Sequence, residues 1–525
     1  MVSGKYTGQE KYVSVRKFAL STLMLMSAAL IVRVLGFVYR IFLTNIIGAE
    51  GMGLYQLVTP VYALIVMTIT SGVSITSSRM ISAHGASLHN RQTIDRIVAV
   101  GIGFASMLAS VISLFVYLFA SPIANRLLGD PRTLLSIKIL MPCIPFVAAA
   151  SGLRGYYYGI QKVAPAAAAQ VFEQLGRMTL VFVLAGRVKD MGLDHLCALA
   201  VGAAAFGELA NFTVMLLAFP FYRRSGRGPI AAAKEKPERY RVLIRQMVSE
   251  SVPISVNRLI TSLSSTIETI IIPQRLIAGG MAYKTAIEEF GLLTGMAMPL
   301  LYFPSVLTSS LSTSLVAEIS SGMASSNYTT VNNRISKSVF ITTVTGFLFS
   351  AVFFSLPDAV SEFVFPGLGV GTTLKLMSVS CVFLYLQMIM TGIMNGLGKQ
   401  TNMLINTLIG DGIRILFVIF ALPIYGINGY AFGLPVSTSV VCFLCFVCVH
   451  KETGLKIDIV NWFLKPLAAA VITIFLCRFN YVSCASWFGG YMSGRLATMT
   501  AVGVSCLQYL IILIVLKGHS YFFNR

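Results

Sequence analysis

About fourteen separate stretches of this chain are each long and apolar enough to cross a bilayer, and that pattern decides the fold class before any motif is read. A helix crossing the hydrocarbon core needs about 20 apolar residues, because every backbone amide and carbonyl must be satisfied inside the segment. The stretches fall near 18–44, 54–80, 97–120, 134–158, 164–186, 194–220, 249–274, 285–318, 337–356, 372–396, 402–422, 427–449, 463–480 and 496–516 of the 525 residues. Charged residues make up 11% of the chain, where soluble domains carry about a quarter. No linker or tail is long enough to hold a soluble catalytic domain. The expectation is an all-α integral membrane protein, and secreted enzymes, cytosolic enzymes and free nucleic-acid binders are excluded.

The balance of 40 Lys and Arg against 20 Asp and Glu has to be read loop by loop, because short cytoplasmic loops collect positive charge. The N-terminus holds Lys5, Lys11, Arg16 and Lys17, and every second loop adds Arg79, Arg91, Arg96, Arg154, Lys162, Lys399, Lys451 and Lys456. The segment after the sixth span adds Arg223, Arg224, Arg227, Lys234, Lys236, Arg239, Arg241 and Arg245, whereas the alternate loops hold only Arg126, Arg132, Arg187, Lys189, Arg275 and Lys284. Both termini are therefore expected in the cytoplasm, and the excess charge is a topology signal rather than a nucleic-acid surface. The run from Phe18 to Thr44 is too long for a signal-peptide core and Arg33 interrupts it, so it reads as a retained first helix. The basic segment reads as a solvated linker that could also meet anionic lipid headgroups, at about 1 kcal/mol per basic residue.

The two sides of that linker repeat. Gly155-x-x-x-Gly159-x-x-Lys162 with Arg177 recurs as Gly392-x-x-x-Gly396-x-x-Lys399 with Arg414, all 237 positions apart, and Gly192 and Gly429 keep the same offset. Ala86-Ser87 and Arg96-Ile97 recur as Ala324-Ser325 and Arg334-Ile335 at an offset of 238. Six spans separate the copies, so they share orientation and their pseudo-two-fold axis runs along the membrane normal. The expected organisation is an N-terminal lobe (1–220), a basic cytoplasmic linker (221–248), a C-terminal lobe (249–450) and two appended helices with a cytoplasmic C-terminus (451–525). Two six-helix lobes facing each other would enclose a cavity.

Ionisable residues inside spans are costly and mark function or pairing. Arg33 and Arg40 lie seven residues apart on span one, hence on one face; Arg40 could equally snorkel to the outer interface, and Arg79 could anchor the end of span two. Span five carries Gln170, Glu173, Gln174 and Arg177 at spacings of three and four. Glu173 and Arg177 can pair along that helix, and Asp411 and Arg414 repeat the arrangement on span eleven. Span seven carries Arg258, and Glu268 among serines and threonines. Glu268 has no obvious local cation, which makes it a candidate for ion coupling together with Asp411. Glu318 reads as interfacial.

Several chemistries lack their residues. There is no G-x-x-x-x-G-K-[ST] for nucleotide phosphates. GAEGMG (48–53) and GLGVG (367–371) join spans and read as turns. Cys442, Cys445 and Cys448 sit in the apolar run VVCFLCFVCV and read as small apolar residues, not metal ligands. The five His and scattered Ser form no triad. No cofactor and no metal site is expected.

RVLGFVYRIFLTNIIGAEGMGLYQL (33–57) resembles the first-span signature of oligosaccharide-lipid flippases in the MOP (multidrug/oligosaccharidyl-lipid/polysaccharide) exporter superfamily. LRGYYYGIQKVAPAAAAQVFEQLGRM (153–178), TIETIIIPQRL (266–276) and GIMNGLGK (392–399) are similar to its polysaccharide and lipid II flippase branch, on the stage V sporulation protein B side. The resemblance spans the whole chain. It implies fourteen helices in a bacterial cytoplasmic membrane and no enzymatic activity. It also implies alternating-access transport of an undecaprenyl-pyrophosphate-linked saccharide such as the peptidoglycan precursor lipid II, in spore cortex or cell-wall synthesis. The first-span pattern R-V-L-G-F-x-R-D of lipid II flippases is matched at Arg33. Tyr39 stands at the second Arg position, Arg40 follows one residue later, no Asp follows, and span eight has no Arg, for which Arg258 on span seven is the candidate substitute. Arg33, Arg40, Arg79, Glu173, Arg177 and Arg258 are thus the candidate cavity residues for cargo, Glu268 and Asp411 those for H+ or Na+. Membrane lipids are the other expected partners, and the protein is expected as a monomer or with cell-wall synthesis enzymes. A capsule or O-antigen repeat-unit flippase and an ion-coupled drug antiporter of the same superfamily remain open, as does a non-transporting scaffold.

Overall fold

The computed structural model describes residues 8–85, 91–188, 191–225, 238–487 and 493–516. The readings on Lys5, Ala86-Ser87, Lys189, Arg227, Lys234 and Lys236 lie outside the described residues. Helices account for nearly all of what is described, and no strand occurs among the described residues. The chain groups into two compact units, one formed by residues 1–47 and 54–266, the other by 48–53 and 267–525.

The first unit contains most of α1 (Gly8–Gly85), α2 (Arg91–Leu118), α3 (Ile144–Gly159), α4 (Ala164–Val188), α5 (Leu193–Ser225) and the first two-thirds of α6 (Tyr240–Ala278). At 1.5 Å per residue the 78 residues of α1 would reach about 117 Å, far more than a bilayer. One residue breaks it. Gly48 has φ 68° and ψ −174°, a conformation open to glycine, so the expected GAEGMG turn is confined to a single kink. The second unit contains α7 (Val306–Ala324), α8 (Tyr328–Ser355), α9 (Ser380–Gly396), α10 (Gln400–Phe420), α11 (Ile427–Thr453), α12 (Lys465–Trp487) and α13 (Ser493–Val515). Ahead of α7, residues 283–305 alternate α, π and 3₁₀ turns around Pro299 and Pro304. The glycine pair Gly367 and Gly369, at φ 72° and 66°, forms the expected turn.

Among the described residues, ten helices are long and apolar enough to cross a membrane, or eleven if Gly371–Met377 and Ser380–Gly396, bent by 57°, make one span. The region Ser27–Ala83 counts once in that number although its 57 residues suit two crossings. α4 and α6 do not enter it, because polar and ionisable side chains lower their hydropathy.

Helices approach closely where glycine removes the side chain, and the same contacts occur in both units. A Cβ on Gly155 would lie 2.8 Å from Ser74 O, and one on Gly392 would lie 2.4 Å from Ser312 O. Gly159 faces Ile81 and Ser78 O as Gly396 faces Ile319 and Val316 O. Ser82 Oγ donates to Gly159 O at 3.1 Å, and Ser320 Oγ donates to Gly396 O at 2.9 Å. Beyond the glycines, Lys162 N donates to Tyr157 O and Lys399 N to Met394 O, both at 2.9 Å. Each turn is made by one residue with positive φ, Gln161 at 57° and Gly398 at 73°. The repeat read from spacing is therefore a repeat of packing. Gly192 and Gly429 do not share it: Gly192 precedes α5 with φ 109°, whereas Gly429 lies inside α11.

The described ends of the basic segment are fixed on the start of α2. Arg223 Nη2 donates to Asp95 at 2.9 Å, Arg96 Nη1 donates to Glu238 O at 2.7 Å, and the Arg96 guanidinium lies 4.9 Å from the Tyr240 ring. After that segment the chain continues in the first unit as far as Thr266.

Candidate functional site: two arginine-centred clusters

In the first unit, α4 and α5 form the most extensive helix pair. Gly207 allows it: a Cβ there would lie 2.5 Å from Arg177 Cγ and 2.7 Å from Glu173 O. Helical spacing puts Glu173 one turn before Arg177, and Glu208 and Asn211 one turn apart on α5. Arg177 Nη2 donates to Oε1 of Glu173 and, at 3.2 Å, to Oε1 of Glu208. Asn211 Nδ2 donates to Glu173 Oε2 at 2.6 Å, and the Tyr62 hydroxyl of α1 donates to Glu208 Oε1 at 3.0 Å. The side chains of Arg177, Glu173 and Glu208 are 21%, 18% and 12% exposed. Four buried atoms in this region have no hydrogen-bond partner: Tyr39 Oη, Gln174 Nε2, Arg177 Nε and Asn211 Oδ1.

The second unit repeats the composition on other helices. Arg414 Nη2 donates to Asp411 Oδ1 at 2.8 Å, one turn back on α10. Arg414 Nε donates to Glu268 Oε1 of α6 at 2.7 Å, and the Tyr430 hydroxyl of α11 donates to the same oxygen at 2.9 Å. Glu268, which has no local cation in the sequence, is thus served by Arg414. Its partner comes from 146 positions away, a distance that local spacing cannot read. Each cluster joins one guanidinium, two carboxylates and a tyrosine, with a formal charge of −1.

The other candidates take different places. Arg33 is exposed on α1 between exposed Leu30, Ile31 and Val34, Arg40 is half-buried, and Tyr39 is buried. Arg79 sits 3.6 Å from Glu250 and is largely exposed. Arg258 is exposed on α6 next to exposed Asn257. Glu318 meets Arg334 at 3.2 Å, both well exposed. All nine cysteines are free, and no group of three or more His, Cys, Asp or Glu among the described residues could hold a metal ion. The structure thus joins Glu173 to Arg177, and brings Glu268 and Asp411 together on Arg414. Sequence reasoning missed Glu208, Asn211, Tyr62 and Tyr430. Glu208 had a signal, since a carboxylate in FGELANF (206–212) interrupts an apolar span as plainly as Glu173 does.

A family model described as polysaccharide biosynthesis protein matches residues 18–323, more than half of the chain. The chain is 28% identical over 510 residues to the stage V sporulation protein B of Bacillus subtilis (strain 168), covering 95% of each. It is 23% identical over 525 residues to the lipid II flippase MurJ of the same organism, covering 94% of each. Among solved structures, an inward closed conformation of lipid II flippase MurJ superposes with a TM-score of 0.66 at 14% identity, over 93% of this chain and 98% of that one. An inward-facing multidrug resistance MATE family transporter of the MOP superfamily superposes with a TM-score of 0.60 at 14% identity, over 82% and 94%. The fold is thus shared with those transporters, and the chain belongs to the polysaccharide biosynthesis protein family.

Proposed function

We propose that this chain is a flippase that carries a polyprenyl-pyrophosphate-linked saccharide across the bacterial cytoplasmic membrane by alternating access, with a peptidoglycan precursor of the lipid II type as cargo. The chemistry of such a cargo sets the requirement. Its prenyl tail can stay in hydrocarbon, but its diphosphate and sugar cannot, and guanidinium groups suit phosphate through planar forks of donors. The observation that carries the reading is Arg33. It lies about 22 Å along α1 from both Phe18 and the Gly48 break, near the middle of an apolar helix, and it is exposed. A guanidinium there costs about 2.5–3.5 kcal/mol on insertion scales unless water or an anion meets it. Arg40 and Arg258 are the further phosphate ligands in this reading. Arg79 and the Glu173–Arg177 pair complete the candidate set, Arg177 being held by Glu173 and Glu208 and Arg79 lying 3.6 Å from Glu250.

The proposal includes fourteen spans, two lobes with a pseudo-two-fold axis along the membrane normal, and cytoplasmic termini. The chain carries no nucleotide-binding motif, so direction would come from the membrane potential, worth about 2.3 kcal/mol per charge per 100 mV, from a coupled ion or from consumption of cargo outside. Glu268 and Asp411 are the ion-coupling candidates of the second unit. Reconstitution into proteoliposomes with a fluorescent undecaprenyl-pyrophosphate-linked disaccharide tests the reading. Arg33→Ala should abolish flipping with normal insertion, and Arg33→Lys should retain part of it. Wild-type transport by the Ala variant refutes the role of Arg33.

A further inference from the structure

We propose that the Glu173–Arg177–Glu208 cluster of the first unit is a proton-carrying site, with Glu208 Oε2 as the atom that takes the proton. The two clusters look alike in composition but differ in how the carboxylates are served. In the second unit each carboxylate has its own guanidinium nitrogen, Nε for Glu268 and Nη2 for Asp411. In the first unit both carboxylates converge on the single nitrogen Nη2, while Arg177 Nε is buried without a partner. Two carboxylate oxygens crowded on one nitrogen repel each other, and burial raises the cost of the charge left over.

The two carboxylates are not equivalent. Glu173 receives donors on both oxygens, Arg177 on Oε1 and Asn211 on Oε2. Glu208 receives Arg177 and Tyr62 on Oε1 alone, and its Oε2 has no donor among the described residues. A proton on Oε2 therefore neutralises the surplus charge without displacing any hydrogen bond in the cluster. The charged and titratable groups facing Glu208 are Tyr62 from α1, Cys143 and Arg154 around α3, and Glu173 and Arg177 from α4. Asn211, whose Nδ2 serves Glu173, is fully buried with its Oδ1 unpartnered, and Tyr39 Oη and Gln174 Nε2 are likewise buried without a partner. A metal cation fits less well, because the guanidinium already occupies the point where the carboxylates meet. The step is a simple transfer: Glu208 gains a proton from one side of the membrane and loses it to the other.

The proposal rests on the flippase reading only for what the proton drives, so two measurements separate them. Infrared difference spectra of the full-length protein in nanodiscs, recorded between acidic and alkaline buffer, read the protonated carboxyl band without any cargo. The band should vanish in Glu208→Gln, whereas Glu173→Gln, which removes the surplus charge but keeps the Glu208 carboxyl, should change its pH response without abolishing it. Its persistence unchanged in Glu208→Gln overturns the proposal, and so does a band that responds to replacing choline with Na+ but not to pH. In proteoliposomes a proton gradient should accelerate movement of the fluorescent undecaprenyl-pyrophosphate-linked disaccharide, and Glu208→Gln should lose that acceleration. A Glu208 band without any flipping counts against the flippase reading and leaves the proton site standing. Gradient-accelerated flipping that survives Glu208→Gln overturns the coupling.

Discussion

Arg414 should be the single most costly ionisable side chain to remove from the second unit. It is 16% exposed, and its partners Glu268 and Asp411 are 8% and 13% exposed. Arg414→Met keeps the length and apolar stem but strands two carboxylates that cannot reach bulk water. Breaking a buried pair in this way costs about 3–5 kcal/mol, which is about 10²- to 10³-fold or more in the folding equilibrium at ~1.4 kcal/mol per tenfold. The triple variant Arg414→Met, Glu268→Gln, Asp411→Asn removes the charges together. It should recover most of the loss, because the penalty belongs to uncompensated charge and not to missing attraction. Within the cluster the cross-helix Glu268 pair should couple more strongly than the Asp411 pair, which a single helix already holds in place. SDS-titrated unfolding in mixed micelles, arranged as a double-mutant cycle, reads all four quantities. A cost below ~1 kcal/mol for Arg414→Met, or a triple variant no better than the single, would refute the reasoning and show the cluster to be well hydrated.

The glycine contacts should be as unforgiving in both units. Gly155→Leu and Gly392→Leu, facing Ser74 and Ser312 backbone oxygens below 3 Å, should each cost about 1–3 kcal/mol or more in the same assay, while Gly412→Leu, with nothing within 4 Å, should not. Lys399 donates to Glu452 at 2.7 Å, and that hydrogen bond raises the amine above its usual range. Its contribution is therefore full below the ordinary lysine value and lost as pH rises through the raised one. Because the amine is exposed, the readout is reactivity: Glu452→Gln should speed acylation of Lys399 in mildly alkaline buffer, and an unchanged rate would count against the pairing.

What was legible in the sequence follows from what is local. Apolar runs located the helices because the backbone must satisfy itself within each span, and helical spacing found Glu173 with Arg177 and Asp411 with Arg414. The repeat was legible because close glycine contacts tolerate no drift in position. The third member of each cluster was not. Glu208 and Glu268 arrive from separate helices, and no period relates 208 to 177 or 268 to 414. The kink at Gly48 and the alternating turns of 283–305 were also hidden, since proline and glycine mark where a helix can yield without fixing how far it does.

The two clusters also bear on how such sites arise. Arg177 and Arg414 stand 237 positions apart, the same interval as the packing glycines, so the arginine is part of the repeated element. The second carboxylate is not. Glu208 comes from α5, the helix after α4, whereas Glu268 comes from the end of α6, four helices before α10. The tyrosines differ likewise, one on α1 and one on α11. A buried guanidinium at the repeated position creates the same electrostatic demand in each half, and two different helices answer it. The demand is common, the geometry of the answer is not, and that difference gives Glu268 a nitrogen of its own while Glu208 shares one with Glu173.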